Sequence, residues 1–127
     1  MKKVVLSGIV LLTVIAVTTG INVRADYKEF SGSAGFGQER VSVSNKKNNN
    51  EYLAGVNWKT SDLSGHKMWF RIKNSNGEER GRILINRPGN GVKYLETSAK
   101  NGYLYWLYAN REHFGNPAAY VTGTWQP

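Results

Sequence analysis

Three Asn-Gly pairs divide the second half of the chain into short segments in which apolar and polar residues alternate. The pairs are Asn76-Gly77, Asn90-Gly91 and Asn101-Gly102. Because Asn and Gly both tolerate the positive φ angles of a type I′ turn, Asn-Gly between alternating segments is a strong hairpin signal. Period-two alternation places successive side chains on opposite faces of a strand. We therefore predict a meander of antiparallel strands, and no helix of useful length after the N-terminal region.

The alternating segments are short and closely spaced, as in a β-sandwich or a small barrel. They lie near 39–44, 52–58, 66–73, 80–86, 92–98, 103–109 and 119–125. Since nothing specifies closure of a barrel, we expect an antiparallel β-sandwich of about seven short strands at 38–127. The stretch 26–37 is rich in Gly and Ser and has no sustained period, so we expect a flexible segment ahead of the sandwich.

The N-terminal stretch 1–25 has the composition of a secretory signal peptide. Lys2 and Lys3 form its positive start, an apolar stretch follows at 4–17, and Val23-Arg24-Ala25 is a small-x-small cleavage site before Asp26. The alternative is a retained transmembrane anchor, since the apolar stretch is close to the shortest length that spans a bilayer. Because no basic stop-transfer cluster follows, we expect cleavage after Ala25 and a secreted, extracellular protein.

The mature chain would be basic and free of cysteine. Removal of the leader leaves Asp26 to Pro127, which is long enough for one domain. The leader holds three of the 17 lysines and arginines, so against nine acidic residues the net charge falls from +8 to +5. Such a charge attracts a protein to anionic surfaces in a salt-dependent way, or simply keeps a small domain soluble. The absence of cysteine excludes thiolate chemistry and disulfides, so aromatic packing is expected to stabilise the core.

The hairpin around Asn76-Gly77 is predicted to have one apolar and one basic face. A two-residue turn pairs Phe70 with Ile83, Arg71 with Arg82 and Lys73 with Arg80. Like charges opposite each other destabilise strand pairing, which suggests an anionic partner for this face. The candidate ligand-binding residues are Lys67, Trp69, Arg71, Lys73, Arg80 and Arg82. The alternative is an ordinary solvated face, partly neutralised by the nearby carboxylates of Asp62, Glu78, Glu79 and Glu96.

A second candidate surface is aromatic and lies around Asn101-Gly102. A two-residue turn there places Leu95 and Thr97 on one face with Trp106 and Tyr108. The other face would hold Tyr94, Glu96, Tyr103 and Tyr105. Exposed rings of this kind stack on sugars, with Glu96 accepting hydroxyl hydrogen bonds, whereas packing in the core is the more common role of such rings.

The sequence contains no catalytic or metal-binding motif. Ser61, Asp62, Ser64 and His66 are the residue types of a hydrolase triad, but they are crowded into one turn, and no nucleophile elbow is present. The two histidines, His66 and His113, have no metal-ligand spacing, and phosphate-loop and dinucleotide motifs are missing. We expect a non-enzymatic protein with no metal, no cofactor and no specific nucleic-acid partner.

Several short segments carry a resemblance to known proteins. They are Trp58 with the turn at 61–65, Met68-Trp69-Phe70, the run at 105–110 and the closing run at 120–125. This pattern resembles small exported proteins of Gram-positive bacteria that are grouped as a domain of unknown function. The signal peptide, the cysteine-free β-rich part and the C-terminal tryptophan are also similar to bacteriocins of the lactococcin 972 type, which are shorter than this chain. Those likenesses imply export and antibacterial action, and they transfer no catalytic residue.

We expect a monomeric, bacteriocin-like binding protein that contacts an acidic cell-wall polymer or a lipid head group through the Trp69 hairpin. One alternative is a carbohydrate-binding module that uses the aromatic surface to hold a glycan. The other is an inhibitor of an extracellular enzyme, in which the loop 86–91, with Arg87 before Pro88, enters a protease cleft. Salt-sensitive binding to anionic wall fractions, salt-insensitive binding to neutral glycan and inhibition lost in Arg87→Ala distinguish the three.

Overall fold

The described chain is all-β and forms two antiparallel sheets, so the predicted fold class is confirmed. The computed structural model describes residues 27–63, 66–112 and 117–127; the predicted leader at 1–25, Ser64 and His113 lie outside the described residues. The strands are β1 (Lys28–Ala34), β2 (Glu39–Arg40), β3 (Asn45–Lys46), β4 (Leu53–Ser61), β5 (Met68–Lys73), β6 (Glu79–Ile85), β7 (Lys93–Glu96), β8 (Leu104–Arg111) and β9 (Ala119–Gln126).

The two sheets pack together around an aromatic core. The four-stranded sheet has the order β1-β9-β4-β7, and the five-stranded sheet has the order β2-β8-β5-β6 with β3 also paired to β8. The ring of Phe70 lies 5.5 Å from that of Phe30 and 5.6 Å from that of Trp58, both edge to face. Because Phe30 and Trp58 belong to one sheet and Phe70 to the other, these contacts join the sheets in a chain that has no disulfide.

The prediction of a flexible segment at 26–37 is wrong, because residues 28–34 form β1. This strand pairs with β9 along its whole length, from Lys28 opposite Trp125 to Ala34 opposite Ala119. Its period is hidden in the sequence because the inward positions hold Phe30, then a glycine, then Ala34. A Cβ at Gly32 would lie 3.0 Å from Cγ1 of Val41, so the small residue lets that valine approach β1 closely. The sandwich therefore begins at Lys28, well before the predicted boundary at 38.

The hairpin of β5 and β6 confirms the predicted faces, while its turn differs from the prediction. Phe70 is opposite Ile83 and Arg71 is opposite Arg82. The turn has a three-residue loop, since the Asn74 N–H donates to the Glu78 carbonyl at 3.0 Å and Gly77 has a φ of 78°. A register shift then places Lys73 opposite Glu79, and the predicted pairing of Lys73 with Arg80 is wrong. The bulge thus replaces a like-charge pair with an opposite-charge pair.

The predicted meander ends after β6. Asn90-Gly91 and Asn101-Gly102 do turn the chain, with glycine φ angles of 79° and 93°. They do not close hairpins, because β7 pairs with β4 in one sheet and β8 pairs with β5 in the other. The chain crosses between sheets at both places, so β7 and β8 are not paired. The register predicted between them from a two-residue turn is therefore wrong. Leu107 is buried, and Trp106 and Tyr108 lie on the opposite face of β8 from it.

The predicted strand at 39–44 is a strand only at Glu39–Arg40, which is β2. The next strand, β3, begins just after it at Asn45, and Val43 between the two is 68% exposed. Both strands pair with β8. Beside β3, the Asn45 side-chain amide donates to the Trp125 carbonyl, and the Lys47 Nζ donates to the Pro127 carbonyl, each at 3.1 Å. This segment therefore holds the end of β9 against the five-stranded sheet.

Candidate functional site

The outer face of the five-stranded sheet carries the basic residues predicted from the hairpin. Met68, Phe70 and Ile72 of β5 are buried, so the alternate residues of that strand lie on the outer side. The strand register places outward residues of the neighbouring strands beside them. We call this surface the basic face, and it consists of Arg40, Trp69, Arg71, Lys73, Arg82, Leu84, Trp106, Tyr108 and Asn110.

Four residues of the basic face form a row across the sheet. Arg40 on β2 is opposite Tyr108 on β8. Tyr108 is in turn opposite Arg71 on β5, which is opposite Arg82 on β6. Because neighbouring strands lie about 4.8 Å apart, the row spans roughly 14 Å. Three arginines thus share one line across the sheet, which we call the arginine row.

Each aromatic ring of the basic face has a cation beside it. Two guanidinium groups lie near the Trp69 ring, with Cζ of Arg71 at 5.2 Å and Cζ of Arg82 at 5.3 Å from the ring centroid. Lys73 Nζ is 4.6 Å from the Tyr108 ring, and Arg40 Cζ is 5.5 Å from the Trp106 ring. These are cation–π distances. The Arg71 side chain is 12% exposed and donates from Nε to Asn110 at 3.2 Å and from Nη1 to Glu79 at 2.8 Å. The Arg82 side chain is 56% exposed, so its guanidinium is positioned by the ring while its N–H groups remain suited to carboxylate or phosphate oxygens.

Of the four carboxylates named from the sequence, two lie against cations of the basic face or of its neighbour Arg80. Glu79 is shared by two arginines, at 2.8 Å from Arg71 Nη1 and 3.7 Å from Arg82 Nε. Glu78 accepts from Arg80 at 3.0 Å. The other two predicted carboxylates lie elsewhere: Asp62 accepts from the Tyr120 backbone N–H at 2.8 Å, and Glu96 belongs to β7 in the other sheet. Cations therefore outnumber carboxylates on this side of the molecule.

The remaining predicted residues, Lys67 and Arg80, lie beside the arginine row. Lys67 is exposed and immediately precedes β5. Arg80 is the extra residue of the β6 bulge, so it is out of register with the row and contributes instead to a groove at one end of the basic face. The six predicted residues therefore lie on one side of the sandwich, and four of them, Trp69, Arg71, Lys73 and Arg82, belong to the basic face itself.

The groove adjoins the basic face where β8 begins. It has a volume of about 680 Å³ and lies between the β5–β6 turn, the connection from β7 to β8, and the first residues of β8. Its principal lining side chains are Asn74, Arg80, Lys100, Tyr103, Leu104 and Trp106. Trp106 is opposite Lys73 in the sheet and also lines the groove, so the groove and the basic face are continuous.

The predicted aromatic surface is not formed. Tyr105 is only 3% exposed, and its hydroxyl accepts a hydrogen bond from the Lys100 backbone N–H at 2.7 Å. Tyr94 and Tyr103 are both exposed, but Tyr94 and Glu96 lie on β7 of the four-stranded sheet and Tyr103 precedes β8 of the other. Because the predicted turn at Asn101-Gly102 is a crossover between sheets, the four side chains do not share a face.

Sequence reasoning did not assign Arg40, Trp106 and Tyr108 to the basic face. The signal for the two rings was present, since they alternate with the buried residues Tyr105 and Leu107. Deciding which of the two alternating sets points outward required knowing that β8 pairs with β5 rather than with β7. Arg40 lies in the predicted strand at 39–44, but alternation did not indicate that this strand pairs with β8.

Two alternative kinds of site, a protease-inhibiting loop and a metal centre, have little support among the described residues. Arg87 is exposed on the loop between β6 and β7, which is attached to β4 by a 2.9 Å hydrogen bond from the Gly89 N–H to the Trp58 carbonyl. The inhibitor role of this loop stays a prediction. Within residues 27–63, 66–112 and 117–127, no group of three His, Asp or Glu side chains is arranged to hold a metal ion.

Comparison with protein-family models, curated proteins and solved structures finds no match to this chain. In the part of the chain that the structure describes, no helix is long and apolar enough to cross a membrane. The basic face and its groove are therefore the candidate site of this protein.

Proposed function

We propose that this protein is exported and binds an anionic component of the cell envelope through the basic face. The observation that carries the proposal is the arginine row, in which Arg40, Arg71 and Arg82 share one line across the sheet. A bacteriocin-like action, in which binding to the envelope of another bacterium is the first step, is the use that fits an exported protein of this kind.

The energetics of the arginine row support a charged partner. Arg71 directly opposes Arg82, and like charges in that position destabilise a strand pair by up to about 1 kcal/mol. Glu79 relieves Arg71 but reaches Arg82 only at 3.7 Å, and the Arg82 side chain is 56% exposed. An anionic ligand would complete this compensation. The row thus carries charge that contributes more to recognition than to folding.

The length of the row favours a ligand with several anionic groups. Guanidinium groups donate paired hydrogen bonds to phosphate or carboxylate oxygens, and each such charge-assisted bond is stronger than a neutral one. A row of roughly 14 Å matches a ligand whose charges repeat along a chain or a packed surface. Acidic wall polymers and arrays of lipid head groups both have this property.

The test removes two charges from the row and compares the effect with removal of two charges elsewhere. Arg71→Ala with Arg82→Ala is expected to weaken binding to an anionic wall-polymer fraction at low salt by at least about tenfold, because charge-assisted hydrogen bonds contribute about 1.5–3 kcal/mol each. The matched control is Lys59→Ala with Lys93→Ala, which removes two exposed cations from the four-stranded sheet. Retention is measured over a salt series.

Equal weakening by both double variants would mean that net charge alone attracts the polymer, and it would contradict the proposed site. Arg71→Lys with Arg82→Lys separates charge from geometry, because lysine keeps the charge without the planar guanidinium. We expect intermediate binding from that variant. Thermal unfolding of all variants checks that the fold is retained.

A further inference from the structure

The groove beside the basic face has the composition of a sugar-binding site. Tyr103 is 62% exposed and Trp106 is half-buried, so both rings offer surface to a ligand. Side-chain amides and hydroxyls from the neighbouring turns complete the lining, namely Asn76, Ser75 and Ser98. Asn74 also lines the groove, but its amide is already hydrogen-bonded within the turn to Glu78 and to the Asn76 backbone N–H. A sugar ring has an apolar C–H face that packs on an aromatic ring, and its hydroxyls pair with groups that both donate and accept, as amides and hydroxyls do.

The groove is lined by two cations, Arg80 and Lys100, and by no carboxylate. Glu78 lies just outside the lining and accepts from Arg80 at 3.0 Å, so the groove carries a net positive charge. Its volume of about 680 Å³ is that of a small-molecule site and exceeds what an isolated phosphate or carboxylate fills. The lining therefore suits a sugar that carries, or is linked to, an anionic group.

The groove is continuous with the arginine row through Lys73 and Trp106. Lys73 follows Arg71 by two positions on the same face of β5, and it is directly opposite Trp106. A chain-like ligand lying across the row therefore passes Lys73 and reaches the groove without leaving the surface. A flat bilayer would contact the row but would not enter a recessed groove, so the geometry favours a polymer over a membrane.

We infer that the anionic ligand is a charged glycan, with its anionic groups on the arginine row and a sugar ring held in the groove between Tyr103 and Trp106. This inference rests on the proposed function, to which it adds the chemical class of the ligand. The glycan unit is recognised by ring stacking and by amide hydrogen bonds, and the row supplies the salt-dependent part of the affinity.

The test compares four probes with the purified protein: dextran sulfate, unmodified dextran, inorganic polyphosphate and phosphatidylglycerol vesicles. We expect dextran sulfate to bind at least about tenfold more tightly than polyphosphate at equal ionic strength, a difference of about 1.4 kcal/mol. Tyr103→Ala should abolish most of that difference and leave polyphosphate binding unchanged. Tyr120→Ala, which removes a tyrosine that is 50% exposed on the four-stranded sheet, is the matched control and should change neither.

The possible results separate the two proposals. Equal binding of dextran sulfate and polyphosphate, both insensitive to Tyr103→Ala, would overturn the glycan inference and leave the anion-binding face in place. Binding to vesicles alone would identify a lipid surface and also overturn it. Failure of all three anionic probes would overturn the proposed function itself. Because Tyr103 is mostly exposed, its substitution is not expected to change the unfolding temperature, which is measured alongside.

Discussion

Among the described residues, two cations are buried, so they contribute little to the charge that the surface presents. Lys47 and Arg111 are each 1% exposed. Burial lowers the pKa of Lys47 while the Glu51 carboxylate partly opposes this effect, and burial likewise lowers the pKa of Arg111 against the opposing charge of Asp62. Arg111 Nη1 donates to the Pro117 carbonyl at 2.6 Å, and among the described residues its Nε and Nη2 have no hydrogen-bond partner. The attraction to anions is therefore concentrated in the cations that remain outside.

The buried position of Lys47 predicts a pH-dependent stability. Because its pKa in the fold is below the ordinary value of 10.5, the unfolded chain binds more protons between the two values, and the free energy of unfolding rises with pH across that interval. Lys47→Met should remove this rise. Urea unfolding at several pH values between 7 and 10 measures it, with the exposed Lys59→Met as control.

The upper limit of that pH series is set by Tyr27. Burial raises the pKa of Tyr27 to about 12, with the nearby Tyr94 adding to the effect. Its contribution has the opposite sign, since stability present below the ordinary tyrosine value of 10.0 is lost as the pH rises from there to about 12. Identical pH profiles for Lys47→Met and the unsubstituted protein below pH 10 would contradict the prediction.

At the scale of elements, β9 is a central strand with little room for larger side chains. It lies between β1 and β4, and its inward face includes Val121 and Trp125, both fully buried. A Cβ at Gly123 would lie 2.6 and 2.7 Å from two ring carbons of Phe30 and closer still to the Asn57 carbonyl oxygen. Glycine is needed here because both neighbours approach the strand where a side chain would begin.

Gly123→Ala is therefore expected to destabilise the protein by about 3 kcal/mol, the upper part of the range for overpacking a well-packed core. Removing the close contacts of the added Cβ would require movement of β4 or of the Phe30 ring, which contacts Phe70 across the sandwich. Gly37→Ala is the matched control, because no atom lies within 4 Å of its added Cβ. Chemical denaturation of the two variants measures the difference. A loss of stability below about 1 kcal/mol in Gly123→Ala would contradict the prediction, because it would mean that β9 and its neighbours move apart at little cost.

At the scale of the whole molecule, the two outer faces of the sandwich differ in chemistry. The basic face combines arginines with aromatic rings, whereas the middle of the four-stranded sheet presents hydroxyl groups, including those of Thr60 and Thr122, which are 2.6 Å apart. An anionic partner would therefore bind on the side of the basic face. This asymmetry is why Lys59 and Tyr120, both on the four-stranded sheet, serve as controls in the binding experiments.

The proposed export predicts which residue begins the mature protein. If the leader is cleaved after Ala25, the protein recovered from the medium of an expressing bacterium begins at Asp26, just ahead of β1. N-terminal sequencing and the intact mass measure this directly. Recovery of the uncleaved chain in the membrane fraction would support the retained anchor and contradict the proposed release.

The β5–β6 hairpin shows what local information predicts well. Its alternation distinguished the buried Phe70 from the outward Arg71. The predicted two-residue turn is wrong, yet Arg71 still opposes Arg82, because the one-residue bulge at Arg80 offsets the extra residue of the loop. The predicted pairing fails at Lys73, between the bulge and the turn, since alternation does not reveal where an extra residue is inserted. The predicted basic residues therefore lie on one side, while the individual pairings depend on the tertiary structure.

The partners of β1, β7 and β8 depended on long-range packing. Period-two alternation is a local property, so the sequence revealed which residues of β8 share a face, but not that the face with Trp106 and Tyr108 points outward. That choice followed from β8 pairing with β5, which is distant in the chain, and with the short strand β2, which brought Arg40 into the arginine row. The all-β class and the basic hairpin could be predicted from the chain alone. The row of three arginines and the adjoining groove arose from strand pairings whose energy is spread over the whole core.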